Sequence, residues 1–215
     1  MALQLVSPTP DPGDDLDGFD LSVAEIHDRV LAPSVEAFRA VSPLAPRAFR
    51  GQVRNATAVV GLRELLLSRG WEANDDEGVA RVVHRERGLA IVVVTGNAAT
   101  GRPTVPGGRG PSNRWPRGPL TREAVADNGQ LALFEEDRGE ADPAAEFLMH
   151  TWFLLVHADG TEVRVELSWP DQFTDGYVDH WGQRILLPAL ATGGPGDDLD
   201  SDDGGDTVDV PIVEL

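Results

Sequence analysis

Two groups of residues in this chain have the types and spacing to do chemistry. The first is an arginine loop, Thr95 to Leu120, which carries Arg102, Arg109, Arg114 and Arg117 without an acid. It also holds six glycines, five prolines and Trp115. Cations tracking a phosphate chain beside an aromatic ring are the elements of single-stranded nucleic-acid binding. The same cations suit an acidic protein surface. The second group is His157, Glu162, Glu166 and His180, with Asp171 nearby. An imidazole beside a carboxylate is the minimal general base. Glu162, Glu166 and His180 with Asp171 would also make an Asp/Glu/His metal site of the nuclease kind.

Several chemistries are excluded. The chain has no cysteine, so it forms no disulfide, thiolate zinc site or thiol nucleophile. All eighteen basic residues are arginine, which removes every lysine-dependent mechanism. Gly96 and Gly101 have the glycine spacing of a phosphate-binding loop, but Arg102 and Pro103 stand where that loop needs lysine and a hydroxyl. Looser anion binding by the amides of this glycine turn, helped by Arg102, is compatible with the residues. No two histidines have metal-motif spacing, and Asp198, Asp200 and Asp202 lack the Gly and Glu of a calcium loop. No serine sits in a nucleophile elbow. The reading is therefore no cofactor, no metal and no assigned catalytic residue.

The net charge of −18 is unevenly placed. Residues 1–80 hold seven Arg and thirteen acids, residues 81–125 eight Arg and two acids, and residues 126–215 three Arg and twenty-one acids. The cationic middle is expected to meet an acidic counterpart. No run of eighteen apolar residues suggests a membrane span, and the N-terminus reads as no signal peptide, so a cytoplasmic protein is expected.

The elements that must position these residues follow from pattern. Residues 1–20, rich in Pro, Gly and Asp, read as a disordered acidic leader. Ser22 and Glu25 form a capping box, with Leu21 and Ile26 as the staple. The helix they start is expected to end or kink at Pro33, where Ser34 recaps a second helix to Val41. A further helix is expected from about Asn55 to Arg69, closed by Gly70, with Trp71 packed back on it. Val79–His84 and Leu89–Thr95 read as a hairpin around Arg85–Gly88. The second of these strands is apolar on both faces, as in a central strand. After the loop come a short helix, Arg122–Ala126, a turn at Asn128-Gly129 and a strand, LALF. A second hairpin, Thr151–His157 with Glu162–Ser168, is expected to turn tightly at Asp159-Gly160. That register sets Val156 against Val163 on a buried face and His157 against Glu162 on a half-polar face open to solvent or ligand. WPDQFTDGYVDHWG reads as a loop, and Arg184–Leu187 as a last strand.

Residues 193–215 carry eight acids and no base, and read as a disordered acidic tail. Its end, VDVPIVEL, is similar to the acidic, apolar-tipped tails of bacterial single-stranded-DNA-binding proteins. Such tails recruit partners or fold over a basic groove.

The whole predicts an α+β domain over residues 21–192. An antiparallel sheet of about five strands, built from two hairpins, carries helices on one face. The expected function is non-enzymatic binding of an unidentified protein partner, in a nucleic-acid-processing or defence setting such as immunity or anti-restriction. The partner surface is the arginine loop (Arg102, Arg109, Arg114, Trp115, Arg117) with the polar face of the second hairpin. The alternatives are a direct single-stranded nucleic-acid binder using residues 96–118, autoinhibited by its tail, and a metal-dependent hydrolase or nuclease.

Overall fold

The computed structural model describes residues 12–103, 110–136 and 149–192. Its helices are α1 (Pro12–Asp17), α2 (Val23–Glu25), α3 (Ala32–Ala40), α4 (Arg47–Leu67) and α5 (Pro119–Glu136). Its strands are β1 (Glu72–Asn74), β2 (Arg81–His84), β3 (Leu89–Thr95), β4 (His150–Ala158), β5 (Glu162–Thr174), β6 (Tyr177–Leu186) and β7 (Leu190–Ala191). They form one mixed sheet in the order β1-β2-β3-β4-β5-β6, with β7 also on β5.

The described fold starts earlier than residue 21. Leu16 is fully buried, and Phe19 meets the ring of Trp152 edge-on at 4.8 Å. Asp20, at φ 57°, accepts the Trp71 indole N–H at 2.9 Å and Arg87 at 2.6 Å. Two apolar residues in an otherwise polar leader suffice because each fully buried side chain contributes roughly 1.5–3 kcal/mol.

The capping box forms as expected. Ser22 Oγ accepts the Glu25 amide at 3.3 Å and donates to its carboxylate at 2.8 Å. The helix does not end at Pro33, and Ser34 does not recap it but donates its hydroxyl to the Leu31 carbonyl. Without an N–H, Pro33 cannot bond the Arg29 carbonyl in the α pattern. The chain instead widens into a π-helical segment, Ile26–Leu31, in which the Ala32 amide reaches back to His27. Gly61 of α4 packs against the Arg29 carbonyl, where a Cβ would lie 2.2 Å from the oxygen. α4 begins at Arg47, eight residues before the expected start, directly after Pro46. Gly70 has φ +87°, and the Trp71 amide returns to Leu66.

β3 is central and buried on both faces. Ile91 and Val93 join the core beneath α1–α4. Val92 and Val94 join a smaller core with Val125 of α5, Phe153 and Leu155. The first hairpin has the expected register, His84 against Leu89.

The sheet departs from two antiparallel hairpins where β3 and β4 pair in parallel. A parallel pair needs a long crossover, and the arginine loop plus α5 supply it. Asn128-Gly129 is therefore not a turn, and LALF is not a strand; both lie inside α5. Asn128 is buried and ties α5 to the sheet. Its Nδ2 donates to Thr151 O and Pro170 O, both at 2.8 Å, and its Oδ1 accepts the Thr151 amide at 2.8 Å.

The two Asp-Gly pairs exchange roles. At Asp159 the side chain accepts the amides of Thr161 and Glu162, both at 3.0 Å, making an Asx turn. The hairpin consequently closes at Ala158–Val163, and Val156 faces Val165. This is two residues off the expected register. A two-residue shift preserves which face each side chain takes. Asp175 and Gly176 have φ 51° and 88° and make the tight β5–β6 turn inside the stretch expected to be a loop. The acidic tail from residue 193, and Arg109, lie outside the described residues.

Candidate binding surface

The arginine loop leaves β3 at Gly96 and folds back onto the sheet. Two glycines permit this. A Cβ on Gly96 would lie 2.1 Å from Thr100 Oγ1, and one on Gly101 (φ +69°) would lie 2.9 Å from Arg164 Cβ. Between them Asn97 organises the turn: its Oδ1 accepts the Ala99 amide at 3.0 Å and its Nδ2 donates to Gly110 O at 3.0 Å.

The half-polar face of the β4–β5 hairpin is the seat of this loop, which corrects the expectation that it is open. His157, Arg164 and Glu166 are all buried. Arg164 donates to the carbonyls of Thr100 and Ala98, each at 3.1 Å, and pairs with Asp159 at 2.9 Å and Glu162 at 2.8 Å. His157 Nδ1 lies 3.3 Å from the Gly96 carbonyl. Glu166 accepts the Gly101 amide at 3.1 Å and is paired with Arg184. Arg184 also donates to Arg102 O at 2.9 Å. Carbonyls leaving a strand end need donors when buried, and carboxylates need cations; loop and hairpin satisfy each other. The glycine turn does bind an anion through a backbone amide, and that anion is the protein's own Glu166.

The structure does not bring the four candidates His157, Glu162, Glu166 and His180 together in one group. Glu162 and Glu166 are tied to arginines under the loop. His180 stands apart on β6, half exposed, with its Nδ1 2.7 Å from Asp171. Among the described residues no group of three or more His, Asp or Glu is placed to hold a metal ion.

The second limb of the loop, Gly110 to Gly118, lies along the free edge of β6. Asn113 is buried there. It bonds Trp115 O at 2.6 Å, Gly176 O at 2.7 Å and the Val178 amide at 2.9 Å. Ser112 Oγ donates to Val178 O, and the Trp181 indole to Pro111 O, both at 2.9 Å. These bonds occupy edge groups that would otherwise template a further strand. They hold Arg114, Trp115 and Arg117 in a short row beside β6. The Arg114 guanidinium lies 5.4 Å above the Trp115 ring, and both are partly exposed. Burial pushes the Arg117 guanidinium below its ordinary pKa. Neither Arg117 nor the exposed Arg102 makes an ion pair among the described residues. Beside this row a groove of about 340 Å³ separates Gly110–Ser112 from the β5–β6 tip, with Asp175, Tyr177 and Asp179 on its wall.

Sequence reasoning found the arginines but missed Asn113, Arg164 and Arg184 as the residues that hold them. The one available signal was the Asp-Gly pair at Asp175. It makes β6 a full strand and so gives the loop an edge to lie on. Among the described residues no helix is long and apolar enough to cross a membrane. Neither family models, nor curated proteins, nor solved structures show a match to this chain.

Proposed function

We propose that the protein is a non-enzymatic binding protein that engages an acidic protein partner through the outer side of its arginine loop. One observation carries this reading. The acids of the adjacent sheet face are consumed by Arg164 and Arg184, while Arg102 and Arg117 have no carboxylate partner among the described residues. A partly buried guanidinium without a counter-ion gains most from a partner that brings one. The described parts of the loop, residues 95–103 and 110–120, are also held in place by hydrogen bonds to the sheet, which lowers the ordering cost of binding.

The test is affinity capture with the wild type and with R102E/R117Q, at two arginines that make no ion pair among the described residues, the variant first shown by circular dichroism to unfold at the wild-type temperature. A partner retained by the wild type and lost with this folded variant supports the reading. Equal capture by both sinks it.

The stacked Arg114–Trp115 pair favours direct binding of single-stranded nucleic acid as the second reading, since a base stacks on such a ring. Fluorescence anisotropy with single-stranded DNA and RNA separates the two. Three phosphate contacts would give a salt slope of about −2. Absence of binding at low salt removes the second reading and leaves the first standing.

A further inference from the structure

A second arginine-only stretch lies on the opposite side of the sheet. Between residues 37 and 63 the chain has five arginines (Arg39, Arg47, Arg50, Arg54, Arg63) and no acid. Arg63 is spent on Asp75 at 2.6 Å. The guanidinium groups of Arg50 and Arg54 both lie over the buried Phe38 ring, at 4.5 and 5.5 Å from its centroid. Arg47 is exposed, and neither Arg47 nor Arg50 makes an ion pair among the described residues. Large apolar side chains are exposed at Leu44 (95%) and along α4 at Phe49 (48%), Val60 (52%) and Leu67 (47%). With the half-buried Val53, the α4 residues fall at spacings of four, seven and seven, one stripe along the outside of the helix. Cations flank the N-terminal end of the stripe and Glu64 lies beside its far end, so the N-terminal end calls for an occupant that is acidic and apolar together.

The chain carries such a segment, and the fold delivers it to the α3–α4 corner. β7 ends at Ala191, and the carbonyl of Thr192 accepts a hydrogen bond from Arg39 of α3 at 2.7 Å. A small groove of about 130 Å³ between α3 and β7, lined by Val35, Glu36, Arg39, Leu190 and Thr192, lies at that point. The segment that follows, 193–215, has eight acids, no base and the apolar run VDVPIVEL. Val208 lies sixteen residues past Thr192, a reach of up to about 55 Å. α4 is about 32 Å long, so its whole length is within range. Tethering supplies an effective concentration on the order of millimolar, enough for a weak contact to be mostly formed.

We propose that the acidic segment 193–215 docks on the α3–α4 corner, its aspartates on Arg47 and Arg50 and its apolar residues on the stripe from Phe49 to Leu67. The surface is distinct from the arginine loop, so the proposal does not rest on the function given above.

The absence of cysteine makes the test direct. A nitroxide on a single introduced cysteine, Asp206→Cys, is read by paramagnetic broadening in the ¹⁵N NMR spectrum of the full chain. The expected result is broadening of amides in residues 44–60, lost at 1 M salt, where the Debye length is about 3 Å. It should also be lost with R47E/F49S. A second measurement changes only the acidic segment: hydrogen exchange of residues 44–60 should quicken when Asp197, Asp198, Asp200, Asp202 and Asp203 are changed to Asn. Broadening confined to residues 96–118 would place the segment on the arginine loop and overturn the proposal. So would no broadening, broadening indifferent to R47E/F49S, or broadening that grows with protein concentration and therefore comes from a second copy.

Discussion

Glu166→Gln tests the idea that the polar face of the β4–β5 hairpin exists to seat the loop. Glu166 is fully buried and Arg184, its partner, is 14% exposed. The carboxylate also accepts the Gly101 amide at 3.1 Å. Glutamine keeps the shape and an acceptor for Gly101 but removes the charge. Arg184 is then left a desolvated cation, and breaking a buried pair in this way costs about 3–5 kcal/mol. Because the Arg102 carbonyl still accepts from Arg184 at 2.9 Å, the lower end applies, about 3 kcal/mol. For a chain of this size that lowers Tm by about 6–12 °C. Thermal unfolding followed by circular dichroism measures the loss, and hydrogen exchange at Gly101 and Arg102 shows whether the loop loosens first. The double change Glu166→Leu with Arg184→Met removes both charges and should recover much of the loss, since a buried pair is worth little against apolar replacements. A Glu166→Gln protein within about 1 kcal/mol of wild type, with unchanged exchange at Gly101, would refute the reasoning.

Two other perturbations bear on the same architecture. Burial works against ionised Asp159, but the amides of Thr161 and Glu162, the Thr161 hydroxyl and Arg164 outweigh it and bring its pKa from 3.8 to about 2. A depressed carboxyl contributes its stability above its unfolded pKa and loses it as pH falls through the folded one. The stability gap between wild type and Asp159→Asn, about 1 kcal/mol after allowing for solvent, should therefore be full above about pH 4 and close between pH 4 and pH 2; a gap that is constant or widens on acidification contradicts it. Asn113→Ala removes bonds to Trp115, Gly176 and Val178 and should cost about 2–3 kcal/mol. It should also release the second limb, so that limited trypsin digestion cuts after Arg114 and Arg117 much faster than in the wild type; unchanged cleavage would mean that other contacts hold the limb.

How much of this was legible in the residues depends on range. Local chemistry was readable: Ser22 with Glu25 is a capping box, Gly70 closes a helix, and LAIVVVT is a strand buried on both faces. What failed was long-range competition. Asn128-Gly129 has turn chemistry, but Asn128 earns more by bonding Thr151 and Pro170, which no local pattern reveals. Asp159-Gly160 and Asp175-Gly176 are identical dipeptides. The first has Thr161 and Glu162 amides within reach of its aspartate and becomes an Asx turn, while the second takes positive φ at both residues.

The candidate site shows the same limit in charge form. An arginine count locates cations but not their partners, and the partners decide which are structural. Arg164 and Arg184, isolated in an acidic stretch, are the ones that hold the loop. Arg102 and Arg117, clustered and conspicuous, are tied to no carboxylate among the described residues. A lone cation among many acids finds a partner within the fold. A run of cations with no acid cannot neutralise itself locally and must find its counter-charge from another segment or another molecule. Two such runs lie on opposite faces of this sheet, one in the loop and one on α3–α4. An acidic segment free of base, residues 193–215, follows Thr192, and Thr192 lies beside the second.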